Sequence, residues 1–120
     1  MFNIFIADSD SVTRKALILL LRCKLGTDDI VEIEDVETLI RTLADTAPDL
    51  LVLDWGLHGS PAPQTCQLLR KAYPQLKVVL LSLDAGDALA AREAGAVFIH
   101  KGASPDELIA TLTPLLRIEQ

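Results

Sequence analysis

Four polar side chains in the sequence each follow a short apolar run, and their chemical types suit phosphoryl transfer. Asp8, Asp54, Ser82 and Lys101 stand directly after, or within two residues of, such runs. In phosphoryl transfer, a carboxylate can attack phosphorus while a lysine and a divalent cation neutralise charge on the phosphoryl oxygens. These four residues therefore predict a site for that reaction, provided that the fold brings them together.

Asp54 is the best candidate for the nucleophile, because it ends the most apolar run, Leu50–Leu53. Gly56 lies two residues further on, where its backbone carbonyl can approach a metal without hindrance from a side chain. Asp8 would then hold the metal. Mg²⁺ fits best, since it takes one or two carboxylates together with waters and a phosphate oxygen. The sequence thus predicts a Mg²⁺ site formed by Asp8, Asp54 and the Gly56 carbonyl.

The elements that must position these residues alternate between short β-branched or leucine-rich runs and longer segments of helical period. This alternation predicts an α/β fold, a doubly wound, five-stranded parallel sheet of the flavodoxin-like type. The strands are predicted at Asn3–Ala7, Ile30–Ile33, Leu50–Leu53, Val78–Leu81 and Val97–Ile99, and the helices at Ser11–Lys24, Val36–Ala44, Pro63–Ala72, Ala85–Ala94 and Pro105–Leu112. Right-handed crossovers permit the strand order 2-1-3-4-5, in which strands one, three, four and five end at one rim.

Several helix ends carry local signals. The segment Ser104–Glu107 combines an N-cap hydroxyl, a proline in the first turn and a glutamate three residues after the cap. Gly26 and Gly95 are expected at helix C-termini, where a left-handed residue is favoured. Pro114 lacks an amide donor, so the last helix is expected to kink or stop there.

Composition limits the function further. The 120 residues are expected to form one domain, 1–120, and the net charge of −6 argues against direct binding to nucleic acid. The two cysteines, Cys23 and Cys66, do not suggest a disulfide framework or a zinc site. The apolar runs are too short to span a membrane and the N-terminus does not resemble a signal peptide, so we expect a cytoplasmic protein.

The sequence also resembles the receiver domains of two-component response regulators, the CheY-like superfamily, over essentially its whole length. The resemblance depends on the order and spacing of four separated motifs, which are Ile4–Asp8, Pro48–Asp54, Val79–Ser82 and Ala94–Gly102.

The resemblance implies a signalling switch rather than an enzyme, beyond the domain's own phosphorylation and dephosphorylation. It implies that Asp54 accepts phosphate from a sensor histidine kinase, that Ser82 follows the phosphoryl group and that Lys101 is its cationic partner. It also implies that Phe98 stands at the aromatic switch position, and that a partner binds the face formed by the fourth helix, fifth strand and fifth helix.

The segment Lys101–Pro105 resembles that of receivers joined to a helix-turn-helix DNA-binding domain more than that of receivers with a proline after the lysine. The chain is therefore either a stand-alone receiver or a portion of a longer regulator. The first helix, with its run Ala16–Leu21, is more apolar than contact with one sheet requires. It is expected to pack against the last helix, and a homodimer formed through the same pair of helices is the alternative.

One position departs from the family. Receivers usually have two adjacent acidic residues after the first strand, and here the second is Ser9. A hydroxyl adds no charge to a Mg²⁺ site, so we expect weak metal binding unless a water or Asp10 compensates. Asp10 has a simpler interpretation as the cap of the first helix. Ser9 thus favours a second hypothesis, a degenerate receiver that acts as a phosphorylation-independent interaction or dimerisation module.

Each site residue also has a purely structural interpretation. Asp8 could be a helix-start carboxylate, Lys101 a surface lysine, Ser82 a cap at a strand end, and Phe98 a core aromatic residue. A small flavodoxin-like enzyme or cofactor binder is the least favoured alternative, because a glycine-rich phosphate loop does not follow the first strand.

Overall fold

The computed structural model describes residues 2–116. Their secondary structure alternates between strands and helices in the order that the sequence predicts. The strands are β1 Ile4–Ala7, β2 Ile30–Ile33, β3 Leu50–Asp54, β4 Val78–Ser82 and β5 Val97–His100, and the helices are α1 Ser11–Leu25, α2 Val36–Asp45, α3 Ala62–Ala72, α4 Ala88–Glu93 and α5 Pro105–Leu116. A 3₁₀ turn, Ala85–Asp87, precedes α4.

The five strands form one parallel sheet in the order β2-β1-β3-β4-β5, as predicted. In this register Ala7 pairs with Leu53, Asp54 with Leu81, and Ser82 with His100. The carboxyl ends of β1, β3, β4 and β5 therefore lie side by side. This edge of the sheet carries the residues that the sequence selects for chemistry.

The three central strands β1, β3 and β4 are buried on both faces, which explains why they are almost continuously apolar, whereas the edge strands β2 and β5 are partly exposed. One core cluster includes Phe5, Leu51 and Leu53, and the other includes Ile4 and Leu50 from the opposite faces of the same strands. Leu17, Ile18 and Leu21 of α1 share the second cluster with Leu112 and Leu116 of α5, so these two helices pack together as expected. No helix within residues 2–116 has the length and apolarity that crossing a bilayer requires.

The predicted helix caps are present. The Ser104 hydroxyl accepts a hydrogen bond from the Glu107 amide at 3.2 Å, and the Glu107 carboxylate accepts one from the Ser104 amide at 3.3 Å. Gly26 and Gly95 follow helix ends with φ of 65° and 86°. These backbone angles favour glycine because its lack of a Cβ removes the steric penalty of the left-handed region.

The structure differs from two expectations about helix ends. The segment predicted as one helix over Ala85–Ala94 is divided into a 3₁₀ turn and the short α4, because the Asp84 side chain accepts a hydrogen bond from the Gly86 amide and begins a tighter turn. The last helix continues past Pro114 to Leu116. Proline removes only one backbone bond there, and burial of Leu116 holds the final turn against the sheet.

Smaller differences concern element ends. β1 begins at Ile4 rather than Asn3, and α3 begins at Ala62 rather than Pro63. Such shifts of one residue leave the positions of the site residues unchanged.

Candidate functional site

Asp8, Asp54 and Lys101 meet at the carboxyl edge of the sheet. The Lys101 ammonium donates hydrogen bonds to Asp54 Oδ1 at 2.5 Å and to Asp8 Oδ2 at 3.0 Å. The three residues come from the loop after β1, the end of β3 and the loop after β5, and up to 93 positions separate them in the chain. The convergence predicted from strand order is therefore present for these three side chains.

The cluster is largely withdrawn from solvent and has a net charge of −1. The side chains of Asp8, Asp54 and Lys101 are 6%, 14% and 19% exposed. Burial by itself lowers the pKa of Lys101, but its hydrogen bonds to Asp54 and Asp8, together with their negative charges, outweigh burial and raise that pKa above its ordinary value. Lys101 is thus a firmly protonated cation between two carboxylates.

Backbone groups hold both carboxylates in place. The Asp10 amide donates to Asp8 Oδ1, and the Gly56 amide donates to Asp54 Oδ2, each at 2.9 Å. Beneath them, the buried guanidinium of Arg14 donates to the Asp8 carbonyl at 2.7 Å and to Glu32 Oε1 at 2.8 Å. Through these two bonds, Arg14 connects the loop that contains Asp8 with the neighbouring strand β2. This role of Arg14 was not anticipated from the sequence.

Asp10 caps α1, as its simpler interpretation predicts. Its side chain accepts hydrogen bonds from the Val12 amide at 3.0 Å and the Thr13 hydroxyl at 2.8 Å. The Thr13 hydroxyl is the main reason why the pKa of Asp10 is lowered, and the Val12 amide adds to it. Both carboxylate oxygens of Asp10 are thereby engaged at the helix start.

Ser9 connects three loops. Its hydroxyl donates to the Glu34 carbonyl at 2.9 Å and accepts from the His58 amide at 3.0 Å. The loops after β1, β2 and β3 are joined through this one oxygen. Ser9 therefore has a structural use at the position where a second carboxylate was expected.

Ser82 lies on the same edge, but its hydroxyl is bonded to another residue. It donates to Asp87 Oδ2 at 2.6 Å and accepts from the Asp84 amide at 3.1 Å. Sequence reasoning missed Asp87. The available signal was the acidic residue five positions after Ser82, at the junction of the 3₁₀ turn and α4.

Phe98 is partly buried on β5 and packs against the core cluster that includes Ala91 and Ala96. Phe98 also lines a shallow surface depression of about 390 Å³, together with Ala88, Arg92 and Val97. Trp55, which follows Asp54, is also partly buried against this core cluster.

Comparison with known proteins identifies the family. A family model described as response regulator receiver domain matches residues 4–113. The chain belongs to the receiver-domain family. It is the receiver domain of a two-component response regulator, and receiver domains are signalling domains rather than enzymes of the usual kind. Receivers generally bind Mg²⁺ at their acidic phosphorylation site.

Individual relatives agree with this assignment. Over 92 residues this receiver is 33% identical to the phosphate regulon transcriptional regulatory protein PhoB of Klebsiella pneumoniae, covering 72% of this chain and 40% of PhoB. It is 27% identical to the PhoB protein of Pseudomonas aeruginosa, in an alignment that covers 96% of this chain and 52% of that protein. The NtrX receiver domain of Brucella abortus superposes with a TM-score of 0.82 at 28% identity, covering 95% and 98%. The chain thus spans about half, or less, of the length of these PhoB relatives.

Proposed function

We propose that Asp54 accepts a phosphoryl group from the phosphohistidine of a sensor histidine kinase and that the domain acts as a phosphorylation-dependent switch. The observation that carries the proposal is the position of Lys101, whose ammonium contacts both Asp54 and Asp8 in a largely buried cluster. A fixed cation beside a carboxylate nucleophile suits a reaction in which negative charge accumulates on phosphoryl oxygens.

In the transfer step, one oxygen of the Asp54 carboxylate forms a bond to phosphorus while the phosphorus–nitrogen bond of the donor breaks. The donor imidazole keeps the electron pair and takes a proton from solvent. Lys101 already neutralises Asp54 Oδ1, and it can move its hydrogen bond to a phosphoryl oxygen as the carboxylate becomes an acyl phosphate. The Gly56 amide holds Oδ2 and so fixes the orientation of the carboxylate.

The donor set suits a weakly held Mg²⁺ ion. Asp8 and Asp54 supply the one or two carboxylates that Mg²⁺ prefers, and the Gly56 carbonyl is the proposed third protein ligand. Within residues 2–116 there is no cluster of three or more His, Cys, Asp or Glu side chains placed to hold a metal ion. Ser9 would add little, because its hydroxyl is engaged by Glu34 and His58. When bound, the ion supplies positive charge to the phosphoryl oxygens.

The output is conformational. A phosphoryl group on Asp54 would attract the Ser82 hydroxyl, shift the loop and helix after β4, and reposition Phe98. The face formed by α4, β5 and α5 is the proposed surface for the downstream partner, and its exposed apolar side chains Leu89 and Val97 support this.

The relatives support a wider setting. Because transcriptional regulatory proteins are among them, we propose that the receiver controls a DNA-binding effector of the helix-turn-helix class or another downstream protein in the cytoplasm. The domain itself is not expected to bind nucleic acid directly or to enter a membrane. The groove between α1 and α5 is lined mainly by apolar side chains, among them Ala16, Leu20 and Leu108, which is the observation in favour of a homodimer through these helices.

A second candidate function is a phosphorylation-independent interaction module. It is favoured by Ser9, which stands where a second carboxylate is usual in the family. Its hydrogen bonds with Glu34 and His58 join the loops after β1, β2 and β3 at that position.

The two functions are separated by exposing the protein to acetyl phosphate and Mg²⁺ and measuring intact mass. We expect a phosphate-sized adduct in the wild type and in Asp45→Asn, a control at the exposed end of α2, but not in Asp54→Asn. A wild type that gains no adduct and does not respond to beryllofluoride would instead support the interaction module.

A further inference from the structure

The Ser82 hydroxyl has one proton to donate, and it is already committed. Its bond to Asp87 Oδ2 is 2.6 Å long, within the range of charge-assisted O–H···O⁻ bonds. Because Ser82 is only 5% exposed, water can hardly reach its hydroxyl to take the place of the Asp87 carboxylate. Any other acceptor, including a phosphoryl group on Asp54, must take this proton from Asp87.

The position of Asp87 means that this exchange would affect the start of helix α4. It occupies the N-cap position of α4, but its side chain makes no capping bond to that helix. The same turn is fixed by the Asp84 amide, which donates to the Ser82 oxygen, and by the Asp87 amide, which donates to the Asp84 carbonyl. The Ser82 hydroxyl thus takes part in two bonds that hold the 3₁₀ turn, one to Asp87 and one from the Asp84 amide. If Ser82 released the Asp87 carboxylate, the turn would loosen and Asp87 would be free to cap α4.

We propose that Asp87 competes with the phosphoryl group on Asp54 for the Ser82 hydroxyl, so that the Ser82–Asp87 bond is a latch holding the unphosphorylated state. The proposal rests on the function proposed above and adds a residue that restrains it. Because both acceptors are anionic, the exchange replaces one charge-assisted bond with another. The two states then differ little in free energy, as a switch requires.

Beryllofluoride, a non-covalent analogue of the phosphoryl group, provides the test. Its apparent affinity in the presence of Mg²⁺ can be followed by the fluorescence of Trp55, the single tryptophan of the chain and the neighbour of Asp54. We expect Asp87→Ala to bind beryllofluoride about tenfold more tightly than wild type, since a competing charged hydrogen bond is lost. Asp87→Glu, which restores a carboxylate, should return the affinity toward the wild-type value.

Two further variants separate the hydrogen bond from general electrostatics. Glu93→Ala removes the same charge from the exposed end of α4 and should change the affinity less than about twofold. In a Ser82→Ala background, adding Asp87→Ala should likewise have less than about a twofold effect, because the shared proton is gone. A purely structural Asp87 would give reduced affinity and stability rather than tighter binding.

The outcomes are distinct. Tighter binding by Asp87→Ala that disappears in the Ser82→Ala background supports the latch. Equal affinities of wild type and Asp87→Ala, or an increase that persists without Ser82, would overturn the latch while leaving Asp54 as the acceptor. Failure of beryllofluoride to bind either protein would overturn both proposals. Asp87→Asn, which preserves the size of the side chain, serves if the alanine variant is poorly folded, and it should also bind more tightly.

Discussion

Replacement of Lys101 with methionine tests the charge arrangement of the site through stability alone. The variant keeps the aliphatic length of the side chain but leaves Asp8 and Asp54 without their shared cation. At an effective dielectric constant of about 20, unit charges at 3 Å interact by about 5 kcal/mol, and removing one member of a buried pair costs about 3–5 kcal/mol. Because the Lys101 side chain is 19% exposed, we expect the lower end, a loss of about 3 kcal/mol.

A double-mutant cycle isolates the interaction. Asp54→Asn should change the free energy of unfolding by less than about 1 kcal/mol in the wild type, because Lys101 still pairs with Asp8. In the Lys101→Met protein the same substitution should recover about 2 kcal/mol, since it removes one of two unpaired carboxylates. Urea unfolding, followed by circular dichroism, measures all four proteins.

The pH dependence gives an independent check. The pKa of Lys101 is raised in the folded state, so its contribution to stability is fully present below the unfolded value of about 10.4 and is lost as pH rises through the folded value. The deficit of Lys101→Met should therefore shrink at strongly alkaline pH. The control is Lys15→Met: that lysine is 66% exposed and 3.4 Å from Glu32, so its loss should cost less than about 1 kcal/mol. A coupling energy below about 0.5 kcal/mol would refute the geometry.

Three further predictions concern the scaffold. Gly95→Ala should lower the free energy of unfolding by about 2 kcal/mol and Gly26→Ala by about 1 kcal/mol, because both glycines have positive φ. Of the two, only Gly95 would place its new Cβ against another side chain, 2.7 Å from Arg70 Nε. Equal losses of stability in urea unfolding would contradict this. Cys23 should react quickly with iodoacetamide while Cys66 reacts only on unfolding, because burial raises the pKa of Cys66; mass spectra with both labelled at once would be evidence against it. Arg14→Ala should cost about 2–3 kcal/mol through lost hydrogen bonds, and an unchanged melting curve would exclude that role.

Much of the site could be predicted because strand ends are local features of the sequence. An apolar run followed by Asp8, Asp54 or Lys101 indicates where a buried strand stops, and a parallel sheet in this order brings those ends together. The contact of Lys101 with both carboxylates therefore follows from the pattern of hydrophobic residues and the handedness of crossovers.

The directions of the short hydroxyl side chains could not be predicted. Ser9 and Ser82 each have several acceptors within reach, and the choice among them depends on loops that come from distant parts of the chain. Such alternatives differ by about 1 kcal/mol, less than a sequence pattern can resolve. The continuation of α5 past Pro114 was missed because the burial of Leu116 outweighed the local signal of proline. The length of α4 was missed because the Asp84 side chain begins a tighter turn ahead of it.

The sequence by itself determined the sheet, its order and the meeting of Asp8, Asp54 and Lys101, because burial of apolar strands dominates the free energy of folding. The tertiary structure alone decided that Ser9 joins three loops and that Ser82 donates its proton to Asp87. The physical reason is that a hydroxyl bonds to whichever acceptor the assembled loops place within about 3 Å.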